Sequence, residues 1–132
     1  MMNGQLLIID DEPDILTVLS HRLRKTGYRV AMTRDGATAL DMVKELCPDL
    51  VLLDIHMPRL DGVEPFRVML EIDPYLGVII MTGDVRTSLA KLIKQEGAWD
   101  FVAKPIDLDY LTRSIANILI RRKYMGPYQV AA

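Results

Sequence analysis

The chain has little of what marks a disulfide-built, metal-rich or nucleic-acid-binding protein. Its single cysteine, Cys47, excludes an internal disulfide framework and any cysteine-based zinc site. Two histidines, His21 and His56, are too few and too far apart for a histidine-rich metal site. Neither sign of charge dominates. Sixteen Lys and Arg stand against eighteen Asp and Glu, a net charge of −2, so direct nucleic-acid binding through a general positive field is not expected. The longest apolar runs, Leu6–Ile9, Leu50–Leu53 and Leu76–Met81, fall far short of a membrane span. The start, Met1-Met2-Asn3-Gly4-Gln5, lacks the basic opening of a signal peptide. A soluble, reducing, cytoplasmic setting with no membrane partner is the expectation.

What is present is the material of one ordinary domain. Of 132 residues, half are apolar and 26% charged, a globular composition rather than a disordered one. A chain of this length buries roughly two thirds of its unfolded surface, enough for a core without staples.

Short apolar runs alternate with amphipathic stretches of helical length. Leu6–Ile9 reads as a strand that stops at Asp10-Asp11, and Pro13 suits the first turn of a helix carrying Ile15, Leu16, Leu19 and Leu23 on one face. Gly27 is a helix stop, and a second strand follows over about Tyr28–Met32. Asp35 can cap a second helix with Ala39, Leu40, Val43 and Leu46 inward. Leu50–Leu53 is a third strand ending on Asp54; a helix over about Val63–Ile72 turns Phe66, Met69 and Leu70 inward. Leu76–Met81 is a fourth strand ending at Thr82-Gly83-Asp84, and Val85, Leu89, Leu92 and Ile93 mark the fourth helix. Trp99–Ala103 is a short fifth strand before Lys104-Pro105, and Asp107 can cap a last helix with Leu108, Leu111, Ile115 and Leu119 inward. Residues 5–123 form the domain; 124–132 read as a frayed tail or the start of a linker.

Five β-α units whose strands are apolar on both faces imply an α/β fold, a doubly wound parallel sheet covered by helices on both sides. An order such as 2-1-3-4-5 suits five strands, and right-handed crossovers bring every strand's carboxyl end to one edge. Asp10, Asp11, Asp54, Thr82 and Lys104 then converge on one mouth. Close carboxylates repel unless a cation joins them, and an all-oxygen set suits Mg2+. A carboxylate held there can act as a nucleophile toward phosphorus, with an ammonium and a hydroxyl to take the phosphoryl oxygens. Asp54, alone at the end of the central strand, is the best such nucleophile; the Asp10-Asp11 pair suits a metal.

Four segments carry a family resemblance. They are Ile8-Ile9-Asp10-Asp11-Glu12, Asp54-Ile55-His56-Met57-Pro58-Arg59-Leu60-Asp61-Gly62, Met81-Thr82-Gly83, and Gly97-Ala98 with Phe101-Val102-Ala103-Lys104-Pro105. In this order, at strand ends, they resemble the receiver domain of two-component response regulators, a flavodoxin-like fold. The resemblance implies Asp54 as phosphoacceptor, Asp11 as direct ligand of Mg2+, Asp10 acting on it through water, and His56 offering a backbone carbonyl. It also implies Thr82 as switch hydroxyl, Phe101 as switch aromatic, Lys104 as the phosphate-contacting lysine, and a cis Lys104-Pro105 bond. His56 stands at a position that often tunes phosphate lifetime in such domains, and Gly83 stands where they most often have Ala, which would leave the phosphoryl group more open to water.

The function so implied is a phosphorylation switch rather than an enzyme. A histidine kinase or histidine phosphotransfer protein passes its phosphoryl group to Asp54. The face of the fourth helix, fifth strand and fifth helix then controls an effector protein or an output domain. Ile15, Val18 and Leu19 would meet the kinase, and phosphorylation-linked homodimerisation stays open. One alternative is an interaction module that works without phosphorylation, against which the intact acid set argues. Another is a hydrolase of the haloacid-dehalogenase kind, which wants a second acid where His56 stands. Taken singly, Asp10 and Asp11 also suit a helix cap, Thr82-Gly83-Asp84 a helix start, Phe101 a core position, and Arg121-Arg122-Lys123 a helix carboxyl end.

Overall fold

The computed structural model describes residues 4–57 and 62–125. Pro58–Asp61 of the second matching segment and the tail from Gly126 lie outside the described residues. The elements are β1 (Gln5–Ile9), α1 (Pro13–Thr26), β2 (Arg29–Thr33), α2 (Gly36–Leu46), β3 (Leu50–Asp54), α3 (Glu64–Ile72), β4 (Gly77–Thr82), α4 (Ser88–Gln95), β5 (Asp100–Ala103) and α5 (Leu108–Tyr124).

All neighbouring strands run parallel, in the order β2-β1-β3-β4-β5. The alternation of side chains along each strand feeds two separate cores. Leu6 and Ile8 of β1, Leu50 and Leu52 of β3, and Ile79 and Met81 of β4 pack beneath α1 and α5, against Leu16, Leu19, Leu111 and Ile115. Leu7 and Ile9, Val51 and Leu53, and Val78 and Ile80 face the other way, beneath α2, α3 and α4, against Val43, Phe66, Met69 and Ile93. Each buried Leu or Ile contributes about 1.5–3 kcal/mol relative to exposure, which is why a sheet of continuous apolar strands is stable only when covered on both faces.

Local signals act largely as the sequence suggests. Pro13 opens α1, and Gly27 closes it in the left-handed region at φ 110°, where its N–H bonds the Arg24 and Leu23 carbonyls. Asp35 and Asp107 cap α2 and α5 through Ala37 N and Tyr110 N. The Lys104-Pro105 bond is cis. Cys47 ends α2 in the left-handed region and is exposed. Tyr124 still belongs to α5.

The fourth helix departs from its sequence reading. Thr87, not Thr82 or Asp84, caps α4, accepting from Ala90 N. Thr82 is instead the last residue of β4, and Asp84 binds Arg86 at 3.0 Å. Val85 therefore lies in the preceding loop, 44% exposed, and the inward positions of the helix are Ala90 and Ile93 rather than Leu92.

At the pole opposite the strands' carboxyl ends, α5 is fastened to the sheet. Arg122 pairs with Asp73 at 3.0 Å and donates to the Tyr75 carbonyl. Asp49 accepts from Gln5 N at 2.8 Å beside it. Ile118 crosses β4 at Gly77, where a Cβ would lie 2.8 Å from Ile118 Cγ2. Near the same end, Arg121 lies over the half-buried Trp99 ring at 5.5 Å.

Candidate functional site

Register builds the site. Ile9 is level with Leu53, so Asp10 emerges beside Asp54, and Asp54 is level with Met81, one step before Thr82. Thr82 in turn pairs with Ala103, which delivers Lys104 to the same edge; the Lys104 N–H donates to the Thr82 carbonyl at 2.8 Å. This is the point where the order reverses, with β1 leading to β2 on one side and lying against β3 on the other. Asp10, Asp54 and Thr82 are buried, Asp11 is half-buried.

Lys104 stands at the centre. Its ammonium lies 2.9 Å from Asp10 Oδ2, 3.1 Å from Glu12 Oε1 and 3.2 Å from Asp54 Oδ2. Backbone donors hold the other oxygens: Glu12 N–H reaches Asp10 Oδ1 and His56 N–H reaches Asp54 Oδ1, each at 2.9 Å. Burial pushes the Asp10 carboxyl above its usual range, only partly offset by the Glu12 N–H and the Lys104 charge. Burial works against the Lys104 ammonium as well, but Asp10, Glu12 and Asp54 outweigh it, so this lysine stays protonated well beyond its ordinary range.

Asp10, Asp11, Glu12 and Asp54 each offer one carboxylate oxygen, all within 4.8 Å of one another. Asp10 Oδ2 is fully buried, and the ammonium that faces it at 2.9 Å makes an ion pair without a hydrogen bond of good geometry. A buried, under-satisfied oxygen within an all-oxygen set is the donor chemistry a hard dication takes. The residues present fit Mg2+.

Every acid, hydroxyl and lysine expected at this edge is there. Phe101 sits half-buried against the core beneath α2, α3 and α4. His21 is exposed on α1, away from the site. Two contacts go beyond the sequence reading. Glu12, at the N-cap of α1, makes no capping bond and turns to Lys104 instead; a third acid after Asp10-Asp11 was the available signal. The exposed His56 ring reaches Thr82 Oγ1 with Nε2 at 3.1 Å, which no spacing rule announces. Beside the site, a groove of about 560 Å³ runs between α1 and the start of α5, lined by Glu12, Ile15, Val18, Leu19, Pro105 and Ile106.

The family model described as the response regulator receiver domain matches residues 6–116. Among curated relatives, sporulation initiation phosphotransferase F of Bacillus subtilis is 38% identical over 119 residues, covering 90% of this chain and 96% of that protein. The transcriptional regulatory protein ZraR of Klebsiella oxytoca is 37% identical over 121 residues, covering 89% of this chain but 27% of the regulator. The chain thus spans nearly all of one relative and about a quarter of the other. A response regulator receiver domain protein of Clostridium thermocellum superimposes with TM-score 0.86 at 32% identity, covering 93% of this chain and 99% of that one. The receiver domain of a sensor histidine kinase from Pseudomonas aeruginosa, with a magnesium ion coordinated in its active-site cleft, superimposes with TM-score 0.80 at 27% identity, covering 89% and 98%. Fold, site and relatives agree, and the chain belongs to the response regulator receiver family, the phosphoryl-accepting switches of two-component signalling.

Proposed function

We propose that Asp54 is the residue that takes the phosphoryl group, from a histidine kinase or a histidine phosphotransfer protein. The observation that carries this is the Lys104 ammonium joining Asp10 and Asp54 at the β1–β3 switch point, 2.9 and 3.2 Å from their carboxylates. A carboxylate oxygen of Asp54 attacks phosphorus, the phosphorus–nitrogen bond of the donor breaks, and the departing imidazole nitrogen takes a proton. Asp10, Asp11, Asp54 and the His56 backbone carbonyl would hold Mg2+, which when bound supplies positive charge to the phosphoryl oxygens. Lys104, now balanced among three carboxylates, gives one of its donors to the new phosphoryl group. Thr82 donates its hydroxyl to the same group. The phosphoryl remains on the chain, so the domain acts as a switch and not as a turnover enzyme.

The response to that charge is assigned to Thr82, Phe101 and the α4–β5–α5 face, which meets an effector, an output domain or a second copy of the chain. The donor protein would dock over Ile15, Val18 and Leu19 beside the groove that opens on Lys104. Residues 5–123 form the working domain, and a cytoplasmic setting fits a kinase-coupled switch. The test is intact mass after incubation with acetyl phosphate, with and without Mg2+. One added phosphoryl group is expected, dependent on Mg2+ and absent in Asp54→Asn. A gain that persists in Asp54→Asn, or no gain in the parent chain, overturns the assignment.

A further inference from the structure

Thr82 Oγ1 is buried at the end of β4 and has every hydrogen-bonding capacity in use. It donates its one proton to the Asp84 carbonyl and accepts from the Asp84 N–H, both at 3.2 Å. A hydroxyl has one donor and two acceptor sites, so with its proton on the Asp84 carbonyl the contact to His56 Nε2 at 3.1 Å is one in which the ring donates, in the tautomer that carries its proton on Nε2. The same residue reaches the acceptor from its other side, since its backbone N–H bonds Asp54 Oδ1 at 2.9 Å.

We infer that His56 is a positioning residue that latches Thr82 in its resting place: a backbone bond to Asp54 fixes the residue, and its ring holds the hydroxyl away from the acceptor. To donate to a phosphoryl group on Asp54, Thr82 must withdraw its proton from the Asp84 carbonyl and turn out of the ring's reach. Loss of the ring bond is therefore part of the cost of switching, set before any phosphoryl group arrives.

The inference rests on Asp54 as acceptor, and the experiment separates the two. His56→Phe keeps a ring without a donor; His56→Gln keeps an N–H donor. Two readouts are taken on parent and variants: the Thr82 methyl resonance in the unphosphorylated protein, and the beryllium fluoride concentration for half-saturation with Mg2+. His56→Phe is expected to move the methyl resonance toward its fluoroberyllate-bound position and to tighten fluoroberyllate by about two- to tenfold, the range one hydrogen bond of ordinary net strength gives. His56→Gln is expected to stay near the parent. A change in folding alone would not tighten binding. An unmoved resonance and an unchanged half-saturation in His56→Phe defeat the latch while leaving Asp54 intact. A parent chain that takes up neither fluoroberyllate nor phosphoryl brings down both.

Discussion

A single ammonium among three carboxylates leaves the cluster negative, and the cost falls most heavily on the side chain with the least water. Asp10 is that side chain. Its folded pKa is raised by burial, so the stability it contributes is fully present below the ordinary carboxylate range and is lost as pH rises through its folded value. Replacing it with a neutral isostere removes that loss. Asp10→Asn is expected to raise the urea midpoint at pH 7.5 in metal-free buffer, the gain shrinking as pH falls to about 4, where the parent side chain is itself being neutralised. A lower midpoint at pH 7.5 would mean that the ion pair to Lys104 outweighs the burial. The residues gathered at the site were legible because they stand at or just past strand ends: Asp10, Asp54, Thr82 and Lys104 mark a change from apolar to polar that is visible in the sequence. The ring of His56 and the carboxylate of Glu12 were not legible. Their partners lie 26 and 92 residues away, and which rotamer reaches them is decided only after packing.

Among the elements, α4 shows where periodicity misleads. Val85, Leu89 and Leu92 have helical spacing, yet the helix begins only at Ser88, and a short helix of eight residues needs just two buried anchors, Ala90 and Ile93. With so little buried surface, its cap carries a larger share of its stability. Thr87→Ala is expected to cost about 1 kcal/mol in urea unfolding, the ordinary value of a lost N-cap. The amide of Ala90 would lose its partner and α4 would fray first in hydrogen exchange. An unchanged unfolding free energy with unchanged exchange at Ala90 would show that another group takes over the cap. Helices with a full stripe, α1 and α5, were read correctly because their end signals, Pro13 and Gly27 in one and Asp107 in the other, agree with their apolar faces. In α4 the two signals are out of step.

For the molecule as a whole, the covered parallel sheet and its two-faced core were readable because apolar strands without alternation leave few other arrangements, while the strand order came with the family resemblance. What sequence could not supply is how the far pole is closed. Arg121-Arg122-Lys123 reads as a set of charges favoured by the helix dipole, but Arg122 specifically ties α5 to the turn before β4. Gly77 belongs to the same closure, since Ile118 occupies the space its side chain would need. Gly77→Ala is expected to cost about 1–3 kcal/mol, typical of overpacking, because a β-branched methyl against a strand has nowhere to turn. Differential scanning calorimetry would read the loss, and an unaltered melting temperature would show that α5 shifts at no cost. That fastening has a mechanical consequence. From its cap at Asp107 beside the site, α5 runs 17 residues, a rod about 25 Å long. Its far end is pinned at Arg122, and its near end is tied by Arg22 to Asp109 and by the Tyr110 hydroxyl to Asp100, each at 2.7 Å. A tilt of about 5° would carry the near end some 2 Å sideways and leave the pinned end almost still, by the rise of the helix alone. Such a tilt would therefore have to break the ties at Asp109 and Asp100 first, on the flank of the rod nearest Lys104.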